Sequence, residues 1–126
     1  ISRAEKEKQV DELLKDGVYG DAKTIAMAKF IEGEALLKRR KDFCENWNSL
    51  QKQVKTQLIP FGKVRQMLKN AHCPTTPAEI GLRPGQFIHG VKTAQLIRKR
   101  YTLLDALDQC GVMDLMLEKL AAEFGE

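Results

Sequence analysis

One long run of regularly spaced apolar residues constrains the fold of this chain more than any other feature of its sequence. The run consists of Leu36, Phe43, Trp47, Leu50, Val54 and Leu58. Spacings of seven, then four, three, four and four place these side chains on one face of a single helix. The opposite face is polar and rich in lysine. The pattern predicts an amphipathic helix over residues 34–58, about 37 Å long at the α-helical rise.

The apolar face of this predicted helix has two interpretations. A stripe of this length usually belongs to a hydrophobic core, where it is covered by other helices of the same chain. Alternatively, the stripe between Leu36 and Leu58 forms a dimer seam or a groove for a partner helix. Periodicity defines the face that is covered, but it does not identify what covers it.

The rest of the chain also shows helical spacing, and helix boundaries divide it into separate segments. The boundary residues are Ser2 with Glu5, Gly17 and Gly20, Asp21, Pro60, Pro84, Thr102 and Gly111. Their chemistry is that of caps, first helical positions and turns. No segment shows the sustained apolar alternation of a β-strand. The sequence therefore predicts an all-α fold, with residues 1–126 forming one domain of about six or seven helices.

The charge of the chain is mildly positive, because 21 Lys and Arg face 17 Asp and Glu. The basic residues are dense only at residues 38–41 and 98–100, and a solvated helix face is the plain interpretation of such runs. A nucleic-acid binder using residues 38–41 would need steeply salt-dependent binding. No base-reading motif accompanies these residues, so we expect no nucleic-acid partner.

The three cysteines, Cys44, Cys73 and Cys110, are odd in number and widely spaced. This usage argues against a disulfide framework and predicts a reducing, cytoplasmic compartment. No apolar stretch has the length of a membrane-spanning helix, so we expect no membrane span. His72 and Cys73 are adjacent, but no second pair lies at zinc-site spacing.

Two segments carry a specific motif. Residues 71–81 read Ala-His-Cys-Pro-Thr-Thr-Pro-Ala-Glu-Ile-Gly, and residues 97–105 read Ile-Arg-Lys-Arg-Tyr-Thr-Leu-Leu-Asp. In the first, Thr76 and Glu79 have capping-box spacing, and Gly81 can close the turn with a positive φ. Together the segments resemble the C-terminal region of sn-glycerol-1-phosphate dehydrogenases, in the iron-containing alcohol dehydrogenase and dehydroquinate synthase-like superfamily. The resemblance covers roughly residues 36–117.

The resemblance implies a two-domain enzyme, of which residues 1–126 would be the helical C-terminal domain. An N-terminal α/β domain would bind NAD(P), and hydride would pass between NAD(P)H and dihydroxyacetone phosphate. A divalent, zinc-like metal would act as the Lewis acid. The family's metal ligands precede the matched region. His89-Gly90 imitates a ligand dipeptide of the family, but it follows the Pro-Thr-Thr-Pro turn, where the family has no ligand.

We therefore expect no catalytic, cofactor-binding or metal-binding residue in this chain, and no activity from the chain alone. Its expected partners are its own N-terminal nucleotide-binding domain and, as a homo-oligomer, further copies of itself. The alternative function is a stand-alone helical interaction or dimerisation module without catalysis.

Arg100 is the one candidate site residue, because an arginine can bind a substrate phosphate through two hydrogen bonds. A structural role competes with this assignment. In that interpretation Arg98, Arg100 and Asp105 form an ion-paired helix junction, and Tyr101 packs beneath it.

Overall fold

Helices make up all the regular secondary structure in the part of the chain that is described. The structure is a computed structural model that describes residues 1–15, 17 and 20–124. Its α-helices are α1 (Arg3–Leu14), α2 (Ala22–Ala28), α3 (Gly33–Gln57), α4 (Phe61–Asn70), α5 (Pro84–Leu96), α6 (Leu103–Cys110) and α7 (Met113–Glu123), with a 3-10 turn at Ala78–Ile80. The predicted all-α fold and the long helix near residues 34–58 are both confirmed.

Local capping chemistry sets several of these helix boundaries, as the sequence predicts. Before α1, the Glu5 carboxylate accepts the Ser2 N–H at 2.7 Å, and the Ser2 hydroxyl accepts the Glu5 N–H at 3.4 Å. Pro84 occupies the first turn of α5, where its missing N–H costs no hydrogen bond. Gly111 ends α6 with a φ of 72°, a left-handed conformation that glycine adopts without a steric penalty.

Two boundary predictions need correction, and one lies mostly outside the described residues. Pro60 precedes α4 instead of opening it, because its ψ of 137° is extended rather than helical. Asp21 precedes α2, but its side chain makes no capping hydrogen bond. Of the turn predicted around Gly17 and Gly20, residues 16, 18 and 19 are not described.

The hydrophobic core lies between the first two helices and α5. Val10 of α1 is fully buried and Leu96 of α5 is 2% exposed. Ala26 and Met27 of α2 complete this cluster, and Phe30 packs against it. Helices α6 and α7 extend the bundle by packing against α5 and against each other. One domain therefore forms from five helices that lie near the two ends of the sequence.

The long helix α3 lies at the edge of this bundle and contributes no buried residue to it. Of the described helices, only α6 lies close to the backbone of α3, and α4 meets the bundle through the Phe61 ring, which lies 6.5 Å from that of Phe124. Along the predicted apolar face, Trp47 is 43% exposed and Leu58 is 64% exposed. The interpretation of this face as core is wrong, because none of its six residues is buried: three are exposed and three are half-buried. Leu58 and Pro60 are extended, and α4 therefore does not fold back over α3.

Replacing the central core side chain should reveal how much of the stability comes from the five-helix bundle. Leu96→Ala removes buried methyl groups and leaves a cavity, so the free energy of unfolding should fall by about 2–5 kcal/mol. Urea unfolding followed by circular dichroism measures the change.

The matched control is Leu103→Ala, because Leu103 is 62% exposed at the start of α6. An exposed truncation of this kind should change the free energy of unfolding by less than about 0.5 kcal/mol. Equal losses for the two variants would contradict the assignment of the core.

Candidate functional site

Three lysine–aspartate ion pairs border a cleft between the N-terminal helices and the α5–α7 half of the bundle. The pairs are Lys6–Asp108, Lys29–Asp105 and Lys92–Asp114, each with a nitrogen–oxygen distance of 2.6 Å. The cleft, which we call the lysine–aspartate cleft, has a volume of about 780 Å³. Small-molecule sites commonly fall between roughly 300 and 1,000 Å³. The cleft therefore has the size of a small-molecule site and is bordered by paired charges.

The central pair joins three helices that are far apart in the sequence. Lys29, just after α2, donates from Nζ to Asp105 Oδ1 at 2.6 Å and to the Gln95 carbonyl oxygen at 2.7 Å. The Gln95 amide nitrogen lies 3.4 Å from the same carboxylate oxygen. The side chains of Lys29 and Asp105 are only 13% and 3% exposed. The pair therefore links α2, α5 and α6 inside the protein.

The second oxygen of this carboxylate fixes the start of α6. Asp105 Oδ2 accepts the Thr102 N–H at 2.6 Å and the Thr102 hydroxyl at 2.8 Å. This is the helix start that the sequence predicts at Thr102. Both carboxylate oxygens thus have hydrogen-bond partners, which a buried charge requires.

The pKa of Asp105 lies below its ordinary value because of these contacts. Burial alone raises the pKa, since it disfavours the charged form. The hydrogen bonds from Lys29 and Thr102 and the charge of Lys29 together lower the pKa by more. Asp105 is therefore a carboxylate at neutral pH, and its chemistry is that of an ion-pair partner rather than a general acid.

The other two pairs become more exposed toward the rim of the cleft. Lys6 is 10% exposed and its partner Asp108 is 33% exposed. The outermost pair, Lys92 and Asp114, has side-chain exposures of 30% and 76%. The cleft therefore presents paired charges, buried at its centre and hydrated at its edge.

The structure does not place Arg100 at this cleft. Arg100 lies in the exposed segment between α5 and α6, and it is not among the residues that line the cleft. The proposed ion-paired junction is wrong, because Asp105 pairs with Lys29 and not with Arg98 or Arg100. Tyr101 is 46% exposed rather than buried beneath a junction.

Tyr101 instead links the inter-helix segment to α3 and α6. Its hydroxyl donates to Gln109 Oε1 at 2.9 Å, and the Arg39 guanidinium lies 5.2 Å from the centre of its ring. That separation is within the range of a cation–π contact. Burial raises the pKa of Tyr101, although the charge of Arg39 opposes this. Tyr101 therefore helps to hold the N-terminal half of α3 against the bundle.

The Pro-Thr-Thr-Pro segment forms the capped turn that its residues predict. The Glu79 carboxylate accepts the backbone N–H groups of Thr75 and, at 3.1 Å, Thr76. The Thr76 hydroxyl accepts the Glu79 N–H at 3.4 Å. Gly81 closes the turn with a φ of 75°. Hydrogen bonds from the Thr75 and Thr76 backbones lower the pKa of the exposed Glu79.

The histidines and cysteines do not assemble into a site in the described part of the chain. His72, Cys73 and His89 are all exposed. Within residues 1–15, 17 and 20–124, no three His, Cys, Asp or Glu side chains are grouped so that they could hold a metal ion. The described residues therefore do not fit the divalent metal that the resemblance implies.

Comparison with models of known protein families, with curated protein sequences and with solved structures finds no significant match to this chain. Over the residues that the structure describes, no helix combines the length and the apolar character needed to cross a bilayer.

The buried ion pair should make acid destabilise the wild type more than an Asp105→Asn variant. Near neutral pH the variant leaves Lys29 buried without a counter-charge, so its free energy of unfolding should be about 3–5 kcal/mol lower. Because folding lowers the pKa of Asp105, the charged carboxylate adds its full share to the free energy of unfolding at any pH above its unfolded pKa of about 3.9. The wild type loses that contribution as the pH falls through the folded-state pKa.

Urea unfolding of both proteins from neutral pH to about pH 3 tests this expectation, and the gap between them should narrow at the acidic end. Asp114→Asn is the control, because its carboxylate is 76% exposed. Loss of an exposed pair should cost less than about 1 kcal/mol. If Asp105→Asn lowers the free energy of unfolding at neutral pH by no more than Asp114→Asn does, the buried pair does not have the role assigned to it.

Proposed function

We propose that this chain is the helical C-terminal domain of an NAD(P)-dependent and metal-dependent oxidoreductase similar to sn-glycerol-1-phosphate dehydrogenase. The observation that carries the proposal is the conformation of the two motif segments on either side of α5. The first is a turn capped by Glu79, and the second leads into α6 through the Thr102–Asp105 cap. The turn at residues 75–81 and the Thr102–Asp105 cap have the conformations that their residues predict, which supports the proposal. Arg98 and Arg100 do not form the predicted ion-paired junction with Asp105.

In this proposal the chain forms the helical domain of the enzyme and does not itself hold the cofactor or the metal. A nicotinamide cofactor would supply the hydride, and the metal would polarise the substrate carbonyl. The resemblance implies that the metal ligands and the nucleotide-binding domain precede the matched region, so residues outside this chain would hold both groups. The odd number of cysteines supports a reducing compartment, and we place the enzyme in the cytoplasm.

Within this proposal, Arg100 is the candidate for contact with a substrate phosphate. Its side chain is exposed on the segment that joins α5 to α6 and is therefore free to meet a ligand or another domain. Arg98 lies two residues earlier on the same exposed segment. This neighbour provides a comparison of equal charge and similar exposure.

The proposed activity is the reduction of dihydroxyacetone phosphate by NADH or NADPH. It is measured as the loss of NADH or NADPH absorbance, with protein made from the complete reading frame. The 126-residue chain alone should give no turnover. Arg100→Ala should raise KM for dihydroxyacetone phosphate about tenfold or more, since a hydrogen bond to a charged group contributes about 1.5–3 kcal/mol. Chelation of divalent metal should abolish turnover, and added zinc should restore it.

Arg98→Ala is the matched control, and its KM should stay within about twofold of the wild type. Equal effects of the two substitutions would remove Arg100 from the substrate site. Lack of any activity with dihydroxyacetone phosphate would contradict the proposed function itself.

A stand-alone interaction or dimerisation module is the second candidate function. The observation in its favour is the open apolar face of α3, where Trp47, Val54 and Leu58 are each at least 43% exposed. Light scattering after size-exclusion chromatography distinguishes the candidates. A stable dimer that dissociates on Val54→Ser, with no turnover from the complete reading frame, would favour the module.

A further inference from the structure

A long segment in the middle of the chain contains no acidic residue. Between Glu45 and Glu79 there is no Asp or Glu, whereas five Lys and Arg occur: Lys52, Lys55, Lys63, Arg65 and Lys69. This one segment therefore has more positive charge than the whole chain, whose net charge is +4. The five cations lie on the second half of α3 and on α4, which we call together the basic elbow (residues 52–69).

The same elbow exposes large apolar side chains. Leu58, Ile59 and Phe61 at the junction of α3 and α4 are 64%, 54% and 61% exposed, and Met67 of α4 is 54% exposed. No helix in the described part of the chain comes close to the backbone of α4. Phe61 does meet the body of the protein, since its ring centre lies 6.5 Å from that of Phe124. On α3 the cations lie on the face opposite the apolar stripe, so the elbow is amphipathic, with exposed apolar side chains on one face and cations on another. Helices of this amphipathic, cationic kind are characteristic of surfaces that bind anionic interfaces.

Charge and side-chain chemistry discriminate among the partners that such a surface could take. Pairing of two elbows would bring like charges together, which disfavours a second copy of the chain. Single-stranded nucleic acid is bound by stacking on aromatic rings. Residues 52–69 contain one aromatic side chain, Phe61, whose ring already contacts that of Phe124. No elbow residue lines either of the two described cavities, so a groove for a partner helix is not evident in the described residues.

We propose that the basic elbow docks this protein reversibly on an anionic phospholipid surface. The Leu58–Phe61 junction enters the headgroup region, where its apolar side chains leave water. The four exposed lysines, Lys52, Lys55, Lys63 and Lys69, face the lipid phosphates, whereas Nε of the half-buried Arg65 is shielded from solvent. Each lysine or arginine near an anionic leaflet strengthens such binding, and the contribution weakens as salt is added. The protein lies on the membrane and does not span it. This docking does not depend on the oxidoreductase activity proposed above.

Vesicle co-sedimentation of the 126-residue chain tests the proposal. One set of vesicles contains phosphatidylcholine alone, and the other contains equal parts of phosphatidylcholine and phosphatidylserine. The chain should sediment with the anionic vesicles, stay in solution with the neutral ones, and be released by high salt. Binding should fall at least about tenfold in the Lys55→Glu, Lys63→Glu, Lys69→Glu variant. A similar loss is expected for Leu58→Ser with Ile59→Ser, because lipid binding scales with buried apolar area.

Two matched controls carry the same changes elsewhere on the surface. Arg98→Glu, Lys99→Glu, Lys119→Glu alters net charge equally at exposed positions outside the elbow. Leu103→Ser with Leu115→Ser replaces side chains that are 62% and 53% exposed on α6 and α7. Both controls should reduce binding far less than their elbow counterparts, and circular dichroism spectra should match the wild type in all four variants.

Three results would overturn the proposal. The first is equal binding to neutral and anionic vesicles, or no binding to either. The second is an equal loss of binding in elbow and control variants. The third is a different partner at the same surface. A dimer that dissociates on Leu58→Ser with Ile59→Ser would identify a second copy. Binding of single-stranded RNA that only the elbow charge reversals abolish would identify nucleic acid.

Discussion

The buried ion pair between Lys29 and Asp105 is the contact on which the arrangement of the other helices depends. One carboxylate accepts from Lys29 and also from Thr102, so it both orients the end of α2 and starts α6. The Lys29 ammonium also reaches the Gln95 carbonyl oxygen on α5. A buried pair of this kind adds little net stability over an apolar contact, because desolvation offsets its attraction. Its effect here is to select one packing of three helices, since other packings would bury an unpaired charge.

Local features of the fold could be predicted because they depend on neighbours in the sequence. The Ser2–Glu5 capping box, Pro84 at the start of α5 and the positive φ of Gly111 all involve residues within a turn of one another. The length of α3 followed in the same way from apolar periodicity. The element that packs against α3 could not be predicted, because periodicity shows which residues share the apolar face but not which part of the protein covers it. In the structure this face stays largely exposed, and the core forms from helices nearer the chain ends.

The candidate site was less accessible to prediction for the same reason. Lys29 and Asp105 are separated by 76 positions, and neither has a local signal that points to the other. Arg98 and Arg100 are nearer in sequence to Asp105, yet both are exposed on an irregular segment and do not form the ion-paired junction with it. The sequence predicts Asp105 as an ion-pair residue but with the wrong partners, Arg98 and Arg100 instead of Lys29. Tertiary packing brings Lys29, which follows α2, to Asp105 Oδ1, and no pattern within the sequence encodes this contact.

Five helices form one cooperative unit around this ion pair, whereas α4 lies outside it. Amide hydrogen exchange measured residue by residue tests this most directly, because it reports the free energy of opening at each helix. The slowest amides should belong to α1 and α5, around Val10 and Leu96, and should exchange only through global unfolding. The amides of α4 should exchange much faster through local opening. Protection in α4 equal to that in α5 would contradict the account.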